Sequence, residues 1–197
     1  MLVETHKLIA NTLLDHIEIE EFPLIKSNYF LWGNIKPDCF SVYKFKKHYE
    51  LESFNMIINK CNFLASLNID TINYLYRVRR FNQELGVICH FICDFFCRPH
   101  YERWEFKSPK VTKQHIMYER ELSKFAKDFC FQEQSFNNFR IDEMDEFLRD
   151  LLEQYKDNND YENDLKYAYF ACYNVINSIL ASIVYNTYAN KYVAVVV

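Results

Sequence analysis

The chain has 197 residues, half of them hydrophobic and 18% aromatic, with a formal net charge of -4. That length suits one domain with a sizeable core, the composition excludes a disordered chain, and the negative balance argues against a protein built to coat duplex phosphates. Only two glycines and four prolines occur, so few chain breakers that long helices are favoured over a many-stranded sheet.

In chain order, Leu8, Ile9, Leu13, Leu14 and Ile17 recur at helical spacing, which predicts a helix from about Glu4 to Glu20, closed by Pro23. From there to about Glu50 the sequence reads as irregular, with Asn34-Ile35-Lys36-Pro37-Asp38 as a loop. A helix is predicted over Leu51 to Leu67, and Asp70 is placed to cap a long one reaching the neighbourhood of Cys97. Ser108 then Pro109, a cap followed by a first-turn proline, starts a helix through His115 and Glu119 to about Cys130. Another runs from Asp142 to about Tyr155, Asp157-Asn158-Asn159-Asp160 forms a turn, and a final helix continues towards Lys191. Within it, Tyr167 to Asn190 is a 24-residue stretch without formal charge, long enough to span a bilayer. Its asparagines, Asn174, Asn177, Asn186 and Asn190, favour a central buried helix instead. The expectation is an all-α, single-domain bundle of six or seven helices covering 1–197.

The chemistry concentrates in two pairs. His90 and Asp94 are four residues apart, and so are His115 and Glu119, so each pair faces one way on a helix. An imidazole beside a carboxylate can hold a divalent metal. His100 follows directly after Pro99, past the end of its helix. Taken singly, a histidine on an apolar helix is more often a packing residue; two clamps with a histidine between them weaken that reading. Cys89, Cys93 and Cys97 recur every four residues and read as small packing side chains rather than thiolate ligands. Tyr43-Lys44-Phe45-Lys46-Lys47-His48-Tyr49 interleaves basic and aromatic residues, either to attract an anionic substrate or as a solvated loop. Seven cysteines, with no basic and apolar leader in Met1-Leu2-Val3-Glu4-Thr5-His6, suggest reduced thiols and a cytoplasmic location.

The ordered set Thr5-His6, Asn34-Ile35-Lys36-Pro37-Asp38, His48, His90-xxx-Asp94, Pro99-His100 and His115-xxx-Glu119 resembles the zinc-dependent phospholipase C family, whose fold is shared with single-strand nucleases. The resemblance implies two zinc ions, one on Asp38, His48, His90 and Asp94, the other on His100, His115 and Glu119. It implies a third on His6, Asp94 and the backbone of Met1, where the phospholipases carry a tryptophan freed by leader removal. It further implies phosphodiester hydrolysis by a zinc-bound hydroxide, with Asp38 orienting or deprotonating the water, and a phospholipid or small phosphodiester as substrate. Glu4 and Phe45 fall at two of three positions of a choline pocket, and Cys39 stands where an aromatic is expected at the other. The alternatives are a single-strand nuclease, favoured by the Met1-to-His6 spacing, and a non-catalytic zinc-binding protein keeping the fold. No C-terminal lipid-binding β-sandwich is expected, nor stable membrane insertion.

Overall fold

The computed structural model describes residues 1–17, 24–39, 47–104, 108–132, 139–156 and 160–193, and among them every regular element is a helix. In chain order these are α1 (Val3–His16), α2 (Ser27–Cys39), α3 (Glu50–Ala65) and the short α4 (Ile69–Thr71), which runs into a π-helical turn over Ile72–Tyr76. Then come α5 (Val78–Phe95), α6 (Arg98–Tyr101), α7 (Pro109–Asp128), a 3-10 turn (Ile141–Glu143), α8 (Met144–Tyr155) and α9 (Tyr161–Val193).

The bundle is arranged around α5, which packs against α1, α2, α3 and α9. Phe81, Leu85, Ile88, Phe91 and Ile92 are fully enclosed, and every residue from Glu84 to Phe95 is buried, so this part of α5 is covered on all sides. The chain's two glycines meet at the crossing of α2 and α5. A Cβ on Gly33 would lie 2.2 Å from the Gln83 carbonyl oxygen, and one on Gly86 would lie 2.2 Å from Phe30 O and 2.6 Å from Asn34 N. The two backbones therefore touch, and only glycine permits that approach. At the same interface the buried Asn82 accepts from Lys26 N–H and donates to Leu24 O and Val78 O, all at 2.8 Å, which fixes the register of α2 on α5.

That interface corrects the expected irregular segment: Asn34 to Asp38 is helical, with Pro37 inside α2. Pro37 cannot donate to the carbonyl one turn back, so local propensity reads as a break; packing against α5 outweighs the lost hydrogen bond. The expected long helix from Asp70 is also broken. Asn68, not Asp70, caps α4 through Thr71 N–H, and the chain kinks at Arg77, whose φ of 70° is one that L-residues rarely adopt. The first helix ends at His16, short of Glu20; Pro23 and the Asp157–Asn159 turn lie outside the described residues. Ser108 caps α7 through Val111 N–H, with Pro109 in the first turn.

α9 is long and apolar enough to cross a membrane, yet it packs against α1, α3, α5 and α8 and encloses Ala168, Cys172, Val175, Ile176 and Ile179. Cys89 and Cys93 of α5 meet it at Cys172, which donates to Cys89 O and lies 3.7 Å from Cys93 Sγ. Near its start Asp164 is fully buried, accepting from Tyr155 Oη–H at 2.5 Å, Tyr118 Oη–H at 3.1 Å and Arg98 N–H at 3.2 Å. One carboxylate thus ties together α6, α7, α8 and α9. Burial lifts its pKa to about 7, and the three donors only partly offset that.

Two outcomes follow from this packing. For Gly86→Ala, better helix propensity returns about 1 kcal/mol, while overlap with a backbone carbonyl costs about 3 kcal/mol or more. A net loss of at least about 2 kcal/mol should appear in urea unfolding, and an unchanged midpoint would contradict the close crossing. For Asp164, a folded pKa above the unfolded value means that its stabilising contribution is complete below about pH 4 and is lost as the pH rises to 7. Relative to Asp164→Asn, the wild type should therefore lose on the order of 4 kcal/mol across that window; parallel stability curves would contradict it.

Candidate metal centre

Five elements deliver polar side chains to one buried region beside α5. His90 and Asp94 come from α5 itself, both fully buried. The glycine crossing brings in Asp38 from the end of α2, with Oδ1 at 3.6 Å from His90 Nε2. His6 enters from α1, its ring stacked on His90 at 4.0 Å between centroids. Pro99 in the first turn of α6 swings the chain back, so that His100 Nε2 lies 3.8 Å from Asp94 Oδ1. His115 and Glu119, one turn apart on α7, share their buried face with Leu122 and Ala126. His48 precedes α3; its segment is pinned by Ser53 Oγ–H to Lys47 O, by the Arg103–Glu52 ion pair, and by Arg103 over Tyr49.

Asp94 is the hub. Its Oδ1 contacts the Met1 nitrogen and lies 3.3 Å from His6 Nε2, while its Oδ2 lies 2.9 Å from His48 Nδ1 and 3.3 Å from His90 Nε2. A second focus forms at Glu119 Oε1, which is 3.0 Å from His115 Nε2, 3.1 Å from His100 Nε2 and 3.1 Å from the Met1 nitrogen. Among the described residues, three groups of donors have their ligand atoms mutually within 4.8 Å: His6, Asp38 and His90; His48, His90 and Asp94; and Cys97, His100 and Glu119.

The hydrogen bonds show what this set is suited to hold. His90 Nδ1–H donates to Asn34 O at 2.8 Å, His100 Nδ1–H to His48 O at 3.1 Å, and His115 Nδ1–H to Trp104 O at 3.2 Å. A carbonyl can only accept, so each neutral ring is left with an Nε2 lone pair aimed at carboxylate oxygen. Lone pairs facing carboxylate oxygens repel unless a proton or a metal cation lies between them, and orienting each ring through its far nitrogen is how metal-binding histidines are held. His6 adds an orphan: fully buried, it has no hydrogen-bond partner on either ring nitrogen among the described residues. The donor set of imidazole and carboxylate fits zinc.

His6 and Asp94 are in the states a metal needs, whereas at His48 burial is outweighed by the hydrogen bond to Asp94, which raises its pKa and favours a proton that metal would displace. Burial lowers the His6 pKa to about 3, with the neighbouring His90 adding to that, so the ring is neutral and free to ligate. Burial alone would raise Asp94; its interactions with His100 first, then with the Met1 amine, His90 and His6, outweigh that and hold it well below the usual carboxylate range. For Met1, burial disfavours the charged amine, but Asp94 and Glu119 more than reverse it, so the amine keeps its proton and a metal would have to displace it there.

The structure thus brings together Met1, His6, Asp38, His48, His90, Asp94, His100, His115 and Glu119. It does not bring Glu4 there: that residue is exposed on α1 and makes no contact with the donors among the described residues. Cys39 is exposed at the end of α2, and Phe45 lies outside the described residues, as do most of its neighbours in the basic and aromatic stretch. Cys97, expected to be mere packing, has its thiol beside His100 and Glu119; burial raises its pKa well above the ordinary value, so it sits there as a neutral thiol. Its position three residues before His100 was the available signal. The role of Asn34 as carbonyl acceptor for His90 could not be read before its helix was known.

The sequence model of zinc-dependent phospholipase C matches residues 5–181. No curated protein and no solved structure matches the chain. Since loss of an outer hydrogen-bond partner typically weakens metal binding by about 10- to 100-fold, removing a direct donor by His90→Ala or Glu119→Ala should weaken zinc affinity by at least about a hundredfold. Competition with a chelator of known affinity reads this directly, and wild-type affinity in both variants would contradict the centre.

Proposed function

The chain belongs to the zinc-dependent phospholipase C family, and on that footing we propose that it hydrolyses a phosphodiester bond, with a phospholipid as the leading substrate. The observation that carries this reading is the Asp94 and Glu119 constellation, in which imidazole lone pairs and ionised carboxylates converge in a buried site. His48, His90, Asp94 and Asp38 would hold one zinc; His100, His115 and Glu119 a second; and His6, Asp94 and Met1 a third. Bound there, zinc supplies acidified water at neutral pH and stabilises charge on a phosphoryl group.

The chain's own residues supply the rest. Asp38 is the most solvent-accessible of the side-chain donors, 30% exposed against 14% for His48 and 1% for Asp94, so the site opens on its side. Placed at that opening, the Asp38 carboxylate orients the attacking water and accepts its proton. Asn34 O and His48 O hold the rings of His90 and His100 in position, so little reorganisation is needed when substrate enters. The apolar wall of α5 behind His90 and Asp94 keeps bulk water from that side.

Single-strand nuclease activity is the second reading, carried by the spacing of Met1 and His6. In the Tyr43–Tyr49 stretch, whose aromatic residues could stack on bases, Tyr49 is buried, 5.9 Å from the His100 ring between centroids, which removes one such platform. A reducing compartment suits the seven free cysteines, with Cys93 and Cys172 close but unbonded, and supports a cytoplasmic location.

A paired assay decides among these. The zinc-loaded protein should release phosphorylated headgroup from a phosphatidylcholine micelle and leave single-stranded DNA intact. Asp38→Asn should lower kcat by about 10²- to 10⁴-fold while zinc is still bound. Cleavage of DNA alone would transfer the assignment to the nuclease reading, and turnover of neither substrate with zinc bound would contradict hydrolysis.

A further inference from the structure

The chain carries a net charge of -4, yet Tyr74-Leu75-Tyr76-Arg77-Val78-Arg79-Arg80 holds three arginines and no acid. At the π-helical turn and the positive φ of Arg77 the segment stays seated on the core through Tyr76 and Val78, while Tyr74 and Leu75 face outward. Tyr74 and Leu75 are each 82% exposed, adjacent apolar side chains standing in water at the edge of the cationic segment. Arg79 lies 5.8 Å from the Tyr29 ring and Arg80 4.8 Å from the Tyr76 ring; stacking holds both guanidinium groups at the surface without neutralising them. Arg77, Arg79 and Arg80 make no ion pair among the described residues. Together with Lys36 they border a cleft of about 500 Å³. Glu84, the acid lining that cleft, is ion-paired with Lys60, so the cleft remains cationic.

We propose that this surface docks the protein on an anionic phospholipid bilayer. The cleft takes a lipid phosphate between Lys36 and the arginines, and Leu75 and Tyr74 enter the boundary between headgroups and acyl chains. A nucleic-acid phosphate would satisfy the arginines equally but leave Leu75 in water; the apolar pair is what selects a bilayer. The contact is peripheral, made by side chains at a turn rather than by an inserted helix. Lys36 is two residues before Asp38 on α2 and so on a different face of that helix, and Arg79 precedes His90 by eleven residues on α5, about 16 Å along the helix axis.

Docking serves the phospholipid reading given above, but it is measured as binding, so a protein that cleaves no phospholipid can still pass or fail this test. Full-length protein is sedimented with vesicles of phosphatidylcholine alone, with vesicles containing phosphatidylglycerol, and with each in rising salt. The expected result is partition onto the phosphatidylglycerol vesicles only, weakened by salt. Replacing Arg77, Arg79 and Arg80 together by Gln should lower that partition roughly a hundredfold, and Leu75→Ser alone roughly tenfold. Helical circular dichroism checks the triple variant; should it lose structure, the single change at the exposed Leu75 decides. Equal partition onto both vesicle types, no partition onto either, or wild-type partition by both variants would overturn the proposal. So would tight binding of a single-stranded oligonucleotide that depends on the arginines but not on Leu75.

Discussion

The crossing of α2 and α5 at Gly33 and Gly86 is the constraint on which the site depends. Two glycines in 197 residues are both spent where the helix backbones touch. With the crossing this close, Asn34 O reaches His90 Nδ1 at 2.8 Å and Asp38 reaches His90 Nε2 at 3.6 Å. A side chain at either glycine would part the helices, moving the carbonyl that orients His90 and the carboxylate that borders the opening. Packing and chemistry are thus coupled through a contact that contains no polar side chain.

Placing so many ionisable groups in a dry interior is costly, because a buried polar group must find a partner. Around Asp94 the partners are arranged for a cation. His6 is enclosed with neither ring nitrogen hydrogen-bonded among the described residues, its Nε2 lying 3.3 Å from Asp94 Oδ1, and the far nitrogens of His90, His100 and His115 are already committed to backbone carbonyls. What remains is a shell of lone pairs and negative charge. Asp164 presents the contrasting solution: its donors are two tyrosine hydroxyls and a backbone N–H, and its pKa rises to about 7 where that of Asp94 falls. One buried carboxylate is built to be held by hydrogen bonds, the other to share positive charge.

The parts legible in the sequence were those whose signals are local. One-turn spacing revealed His90 with Asp94 and His115 with Glu119, and Ser108-Pro109 gave the start of α7. Apolar composition with scattered asparagines distinguished the buried α9 from a bilayer span. The illegible parts depend on tertiary contact. Asn34 to Asp38 carries loop propensity and a proline, yet is helical because α5 packs against it. Arg77 gives no local sign that a helix must break there, since the positive φ is imposed by the join between the π-helical turn and α5. Cys97 looks like its neighbours Cys89 and Cys93 in the four-residue stripe; only the turn into α6 sets its thiol beside His100 and Glu119.

The central claim is that the buried donors surround metal, and anomalous diffraction at the zinc absorption edge from crystals of the purified protein tests it most directly. The expected result is one peak among Asp38, His48, His90 and Asp94, another among His100, His115 and Glu119, and a third beside His6, Asp94 and Met1 where the terminal amine has given up its proton, each at roughly 2.0–2.2 Å from the ligating nitrogen and oxygen atoms. Crystals grown with zinc that show intact side chains and no anomalous peak at either focus would contradict the account.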